Sequence, residues 1–156
     1  MSSSDWTPPK SAELLYPHLL GNQFATINRD TAGAQTEKPL PVGQAEFQLY
    51  SLATPNGQKV SIALEEFELK YDSHLIDISK GDQFTSGFVD LNPNSKIPAM
   101  KHGEVKIFES GAILLYLAEK FNKFIPTDAQ KRAECYSWLF WQMSGQGPML
   151  VQSLQK

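Results

Sequence analysis

The 156-residue chain holds a single cysteine, Cys135. A lone thiol excludes an internal disulfide, a Cys-x-x-Cys redox pair and a multi-thiolate metal site. It fits a reducing compartment. Long apolar runs are missing as well. ELLYPHLL (residues 13–20) is too short to cross a bilayer, and Pro17 and His18 interrupt it. The opening MSSSDWTPPK shows no basic region followed by an apolar stretch, so no signal peptide is expected and the protein reads as cytoplasmic. Clustered basic charge is missing too. The 14 Lys and Arg residues are scattered and the net charge is −3, which argues against a nucleic-acid surface. His18, His74 and His102 lack metal-ligand spacing; no metal is expected, and they read as structural or exposed.

What is present suits a soluble globular protein: 41% hydrophobic and 20% charged residues. Residues 1–45 form a turn-rich arm. Pro8, Pro9, Gly21, Gly33, Pro39, Pro41 and Gly43 leave room for no more than a short helix near Ser11–Leu15. From Glu46 the pattern sharpens. Phe47–Leu52 (FQLYSL) alternates as a strand. Thr-Pro-Asn-Gly then poses a choice, because Asn-Gly between apolar runs is a strong hairpin signal. Val60, Ala63, Leu64 and Phe67 fit a helical face, and good helix formers carry on to Lys70 without a turn residue. Asn56-Gly57 is therefore read as a strand-to-helix connection.

A second strand is expected over Ser73–Ile78, a short helical turn at FTSGFVD, and a hairpin from IPAM to VKIFES. His102-Gly103 forms its turn and its edge lies near Pro98. Ser110–Phe121 is a strong helix with Ser110 at the N-cap. The order β-α-β-(α)-β-β-α over residues 46–121 predicts an α/β fold on a mixed sheet. Thr127 and Gln130 suggest a capping box for a last helix that stops at Gly145, Gly147 and Pro148. Its later half is apolar nearly all round: Trp138, Leu139, Phe140, Trp141 and Met143. Only 13 residues follow Met143, so that surface is expected to be left uncovered. Cys135, on the same helix, reads as a small core residue.

The motifs LYSLATPNGQKVSIALEE, GDQFTSGFVDLNPNSKIPA, FESGAILLYLAEKF and WLFWQMSGQGPML closely resemble the cytosolic glutathione transferase family. The nearest class is the bacterial nu class with its fungal relatives, several of which act as glutathione-dependent disulfide-bond oxidoreductases. FATINRD and EKPLPVG look like the arm of longer nu-class members. The resemblance covers roughly residues 22–150. It implies a thioredoxin-like domain at 46–121, then the start of an all-helical domain at 127–156. The tail VQSLQK departs from the family, which implies a truncated helical domain.

Each part of glutathione finds a matching residue type. Ser110 opens a helix, where its hydroxyl and the free N–H groups can take a carboxylate. Glu109 supplies the negative charge that an ammonium group needs. Read locally, this pair is plain capping beside a solvated Glu; the resemblance makes it the γ-glutamyl site. Ile97-Pro98 read alone is a trans proline opening an edge strand, whereas the family carries a cis-proline loop whose exposed Ile97 backbone pairs with the cysteinyl unit. By the same resemblance, Lys96 and Gln83 serve the glycine carboxylate. Thr54 and Asn56 stand where thioredoxins carry their cysteines. Their hydroxyl, amide and backbone donors favour a thiolate over a thiol, and bound glutathione would supply the sulfur. Tyr50 reads as a packed strand residue. Asn28 reads as a turn residue, although longer relatives use an Asn there for a second glutathione. Gln142 either borders the thiol pocket or faces water.

Two functions follow. One is a glutathione-binding enzyme, a disulfide reductase or a transferase that uses the bound thiolate; the Thr-Pro-Asn motif favours the disulfide route. The alternative is a catalytically inactive, truncated interaction or regulatory module. Glutathione is the implied co-substrate, and a homodimer is implied where the helical domain is complete.

Overall fold

The computed structural model describes residues 33–154. Asn28, His18 and the short helix expected near Ser11–Leu15 lie outside the described residues. The sheet has four strands: β1 (Phe47–Ser51), β2 (Tyr71–Leu75), β3 (Ala99–His102) and β4 (Val105–Phe108), in the order β2-β1-β3-β4. β1 runs parallel to β2 and antiparallel to β3, and β3 runs antiparallel to β4. Helices α1 (Pro55–Glu66), α2 (Ser86–Leu91) and α3 (Ser110–Phe121) complete a thioredoxin-like unit. α4 (Ala129–Trp141), a π-helical turn (Gln142–Gln146) and α5 (Gly147–Leu154) follow.

All five residues of β1 are buried although the strand alternates in sequence, because both faces of the sheet are covered. Phe47 and Leu49 join Val60, Leu64, Met100, Ile113 and Leu117 under α1 and α3. Tyr50 packs with Ile76, Phe88, Leu91 and Ala99 on the α2 side. Gln48, one of the buried polar residues of β1, is fully engaged. Its amide donates to the Ala45 carbonyl at 2.6 Å and to Asp72 at 2.9 Å, and its oxygen accepts from Gly43 N–H at 2.7 Å. Such satisfaction is what makes a buried amide tolerable. The described part of the arm is irregular and lies along α2. Ser86 N–H donates to the Thr36 carbonyl at 2.8 Å, and the Lys38 ammonium pairs with Asp82 at 3.1 Å.

Asn56-Gly57 is indeed a strand-to-helix connection. Thr54 caps α1 by accepting from Gly57 N–H at 3.2 Å, and Pro55 occupies the first turn, where its missing N–H costs nothing. Gly57 is required because a Cβ there would meet the Leu52 carbonyl oxygen and Ser51 Oγ.

Several expected boundaries differ. α1 ends at Glu66 rather than near Lys70. The chain reverses at Glu68, a non-glycine residue with φ of 60°, so no Gly or Pro flagged the stop. β2 starts two residues earlier than expected and ends at Leu75. The hairpin turn is Gly103-Glu104, not His102-Gly103. His102 belongs to β3 because its ring is buried, stacks on Phe47 at 4.1 Å and bonds Tyr116 and Glu46 at 2.6 and 2.7 Å. His74 is likewise structural: it stacks on Tyr50 and bonds the Gln48 side-chain oxygen at 2.7 Å. β3 is an inner strand, so the edge expected near Pro98 belongs to β4 instead.

Asp128, not a Thr127–Gln130 box, caps α4 through Lys131 N–H at 3.0 Å. The helix does not stop at Gly145. Gly147 N–H reaches back five residues to the Gln142 carbonyl, and this π turn carries the chain into α5 ahead of Pro148. Cys135 is half-buried on a helix with no fully buried residue, so it is not core. The apolar surface of α4 is exposed as expected: Trp138, Phe140 and Trp141 are 60%, 61% and 51% accessible.

Two outcomes test this packing. Gly57→Ala should lower unfolding stability by about 2 kcal/mol or more, read by denaturant titration, because backbone and not a mobile side chain blocks the new methyl. Acid should also destabilise the fold. Asp77 is held at about 2 by hydrogen bonds from Ser79 and the Lys80 ammonium. Asp82 is held low chiefly by Lys38, and Asp72 by the Ala45 N–H and Gln48. Depressed folded values mean that the contribution is present above the unfolded carboxylate range of about 4 and is lost as pH falls toward about 2. The denaturation midpoint should fall within that window, and Asp77→Asn should reduce the fall.

Candidate functional site

The register decides where the sheet gathers its chemistry. Tyr50 pairs with Ala99, and Ala99 pairs with Phe108. The carboxyl ends of β1 and β4 therefore meet the amino end of β3 at one edge of the sheet. Thr54 to Gly57 leave β1 there, Ile97-Pro98 enter β3, and Glu109-Ser110 leave β4. The sheet thus brings Thr54, Asn56, Ile97, Pro98, Glu109 and Ser110 to a common edge. The amino termini of α1 and α3 both begin at it.

Each helix start leaves N–H groups without intrahelical partners. At α1, Pro55 has no N–H and Gly57 N–H is taken by Thr54 Oγ1. The Asn56 N–H has no carbonyl of its own helix to bond. Thr54 Oγ1 accepts through a lone pair and keeps its proton free to donate outward. Asn56 is exposed and Thr54 half-buried. At α3, Glu109 rather than Ser110 holds the cap position, with φ of 70° and ψ of 122°, and it makes no side-chain cap. A glutamate in that sparsely populated region is strained. The bend turns the chain sharply from β4 into α3. Ser110 is the first helical residue, buried at 4% exposure, and its Oγ donates to Met143 Sδ at 3.5 Å.

The Ile97-Pro98 peptide is cis. Pro98 is buried and Ile97 packs beside the Tyr50 cluster. Lys96, just before them, is half-buried. Burial pushes its ammonium down, and the Glu109 carboxylate opposes that shift. Asn92, itself buried, holds this loop by donating to the Lys96 carbonyl at 2.6 Å.

Gln83 lies in a 3-10 turn, Asp82–Phe84, that follows the carboxyl end of β2. Its side chain is 1% exposed, and its amide donates to the Ile78 carbonyl at 3.3 Å. Its Oε1 has no partner among the described residues. Tyr50 is a core residue whose hydroxyl donates to the Pro41 carbonyl at 2.8 Å, and burial raises its phenol. Gln142 is half-buried. It accepts from the Lys59 ammonium at 2.7 Å. Lys59 was not among the sequence candidates, since a lysine on an amphipathic helix reads as solvated. A cavity of about 400 Å³ lies elsewhere, between arm residues Lys38–Pro41 and Leu75, Ile76, Asp82 and Thr85. It holds none of the candidate residues. No group of three or more His, Cys, Asp or Glu among the described residues is placed to hold a metal ion. No described helix is long and apolar enough to cross a membrane.

Several known proteins are similar to this chain. Residues 45–119 match the model for the glutathione S-transferase N-terminal domain. The disulfide-bond oxidoreductase YghU of Escherichia coli is 52% identical over 155 residues, covering 93% of this chain and 51% of the relative. A solved structure of glutathione transferase YghU from Streptococcus pneumoniae, complexed with glutathione, is 46% identical with a TM-score of 0.76; the alignment covers 96% of this chain and 58% of that one. A glutathione transferase from Burkholderia graminis, with two glutathione molecules bound per subunit, is 51% identical with a TM-score of 0.65, over 68% of this chain and 47% of that one. The chain spans about half the length of the curated relatives it matches. A thioredoxin-like sheet, a cis-proline entering β3, a Glu-Ser bend into α3 and this breadth of similarity agree, and the chain belongs to the glutathione S-transferase family.

Proposed function

We propose that this edge binds glutathione and uses its sulfur as the nucleophile that the polypeptide lacks. The observation that carries the reading is the convergence of two helix amino termini with a cis-proline backbone at one sheet edge, in a chain whose only cysteine lies on α4. The Ser110 hydroxyl and the first N–H groups of α3 take the γ-glutamyl carboxylate, while Glu109 takes its ammonium. The Ile97 backbone pairs with the cysteinyl unit as an added strand would. The Lys96 ammonium meets the glycine carboxylate; because its charge is partly desolvated, an anion there relieves a cost. Gln83 donates to the same end.

The sulfur then lies at the start of α1. The Thr54 hydroxyl, the Asn56 amide and the Asn56 N–H donate to it, and the helix dipole adds to their effect. Each pKa unit of thiol lowering needs about 1.4 kcal/mol of preference for the charged form, within the range of one or two charge-assisted hydrogen bonds. The thiolate attacks one sulfur of a disulfide substrate. A glutathione–substrate mixed disulfide forms, the substrate's sulfur–sulfur bond breaks, and the other half leaves as thiolate. The thiolate of a second glutathione then attacks the glutathione sulfur of the mixed disulfide; that sulfur–sulfur bond breaks, glutathione disulfide forms and the remaining substrate half leaves as thiolate. The similarity to the disulfide-bond oxidoreductase of Escherichia coli supports this route over transfer to an electrophile. A reducing, cytoplasmic setting suits that chemistry.

A second reading is a silent glutathione-fold module that pairs with another chain, including a second copy. The specific observation in its favour is the exposed Trp138, Phe140 and Trp141 surface, since soluble proteins seldom leave such a patch bare.

Two measurements separate the readings. Calorimetry with reduced glutathione should show saturable binding. In a hydroxyethyl disulfide reduction assay, Thr54→Ala and Asn56→Ala should each lower turnover by about 10-fold or more while glutathione affinity changes little. Binding without turnover in the unmodified chain favours the silent module. No binding at all contradicts both.

A further inference from the structure

Lys59 has no role in the mechanism above, yet its setting is unusual for a helix-surface lysine. It lies on α1, one turn beyond Asn56. Its ammonium is partly desolvated, and that burial pushes its pKa down. No carboxylate pairs with it among the described residues. Its partners are both neutral: Gln142 Oε1 at 2.7 Å and Met143 Sδ at 3.9 Å. Gln142 opens the π turn, so this contact ties α1 to the point where the C-terminal helix changes its winding. The next residue, Met143, reaches the other helix. Its Sδ accepts from Ser110 Oγ at 3.5 Å, and its Cγ lies 3.1 Å from where a Cβ on Gly111 would stand. Gly111 therefore leaves room for the thioether against the first turn of α3.

We propose that Lys59 is a positioning residue for glutathione: through Gln142 it fixes the π turn, and so seats Met143 as a wall beside Ser110, where the γ-glutamyl end docks. The proposal rests on the glutathione reading. A charge-assisted bond is the contact suited to this task. α4 buries none of its residues fully, so apolar packing holds the turn weakly. A lysine bonded to an amide is roughly twice as strong as a neutral pair. Met143 suits its place for a different reason. A thioether is a weak acceptor, so it keeps the Ser110 hydroxyl oriented and yields it to an arriving carboxylate.

The test is calorimetry of the full chain with reduced glutathione, joined to the disulfide reduction assay. Lys59→Met should weaken binding about tenfold, as expected for loss of a hydrogen bond to a charged group. Lys59→Arg should recover most of that loss, since a guanidinium can still donate to Gln142. Gln142→Leu should weaken binding as Lys59→Met does, and the double variant should be no worse than either single one. In turnover, the loss should appear in KM for glutathione with kcat near that of the unmodified chain. Gln142→Leu leaves α1 untouched, so it decides the matter if Lys59→Met does not fold. Unchanged affinity in Gln142→Leu and in folded Lys59→Met, with the unmodified chain binding normally, overturns the proposal. A fall in kcat at constant KM overturns it as well, because Lys59 would then act on the thiolate itself. If the unmodified chain binds no glutathione, the glutathione reading fails and the proposal falls with it, a failure told apart by the unmodified chain alone.

Discussion

The pairing of Tyr50 with Ala99, and of Ala99 with Phe108, is the constraint on which the rest of the structure depends. Shifting either pair by one residue would turn each strand's side chains to the opposite face. It would also move the Thr54 loop, the cis-proline and the Glu109 bend out of line with one another. The register is well protected. Leu49, Met100, Ile113 and Val60 are 0–1% exposed on one face, and Tyr50, Phe88 and Ala99 are fully buried on the other. The hydrophobic core thus fixes the geometry of a site to which it contributes no functional group of its own.

That division explains the strained and polar features at the edge. Glu109 adopts a backbone conformation that a glutamate avoids, and the packed strand and helix on either side hold it there. Gly57 allows α1 to start close against the Leu52 carbonyl, which keeps Thr54 and Asn56 near the strand end. The arm contributes at a distance. Pro41 takes the Tyr50 hydroxyl, and Gly43 and Ala45 bond to Gln48 and Asp72, so these polar side chains of β1 and β2 find partners in a segment without regular structure.

Much of this was legible in the sequence, and the parts that were not share physical causes. Strand β1, helix α3 and the hairpin were readable from periodicity. The nature of the Asn56-Gly57 junction was readable from the long run of helix formers after it. The end of α1 was hidden because Glu68, not a glycine, takes the left-handed conformation. The hairpin turn was displaced because His102, a residue that suits turns, is instead held in β3 by Phe47, Tyr116 and Glu46. Gly145, Gly147 and Pro148 read as a stop, yet the π turn takes up Gly145 and passes the chain into α5, which opens with Gly147 and Pro148. Among the site residues, Thr54, Asn56, Ile97, Pro98, Glu109 and Ser110 came from motif resemblance and share one edge. Lys59 was missed because its partner lies 83 residues away, a separation that no local pattern carries.

The central claim is electrostatic: neutral donors and a helix start at the end of β1 make a bound thiol anionic. The most direct measurement is the ultraviolet thiolate absorbance of glutathione, titrated against pH with the chain in excess. The account predicts a midpoint below the ordinary thiol value of about 8.5, and a return toward that value in Thr54→Ala. A midpoint for fully bound glutathione equal to that of the free tripeptide would contradict it.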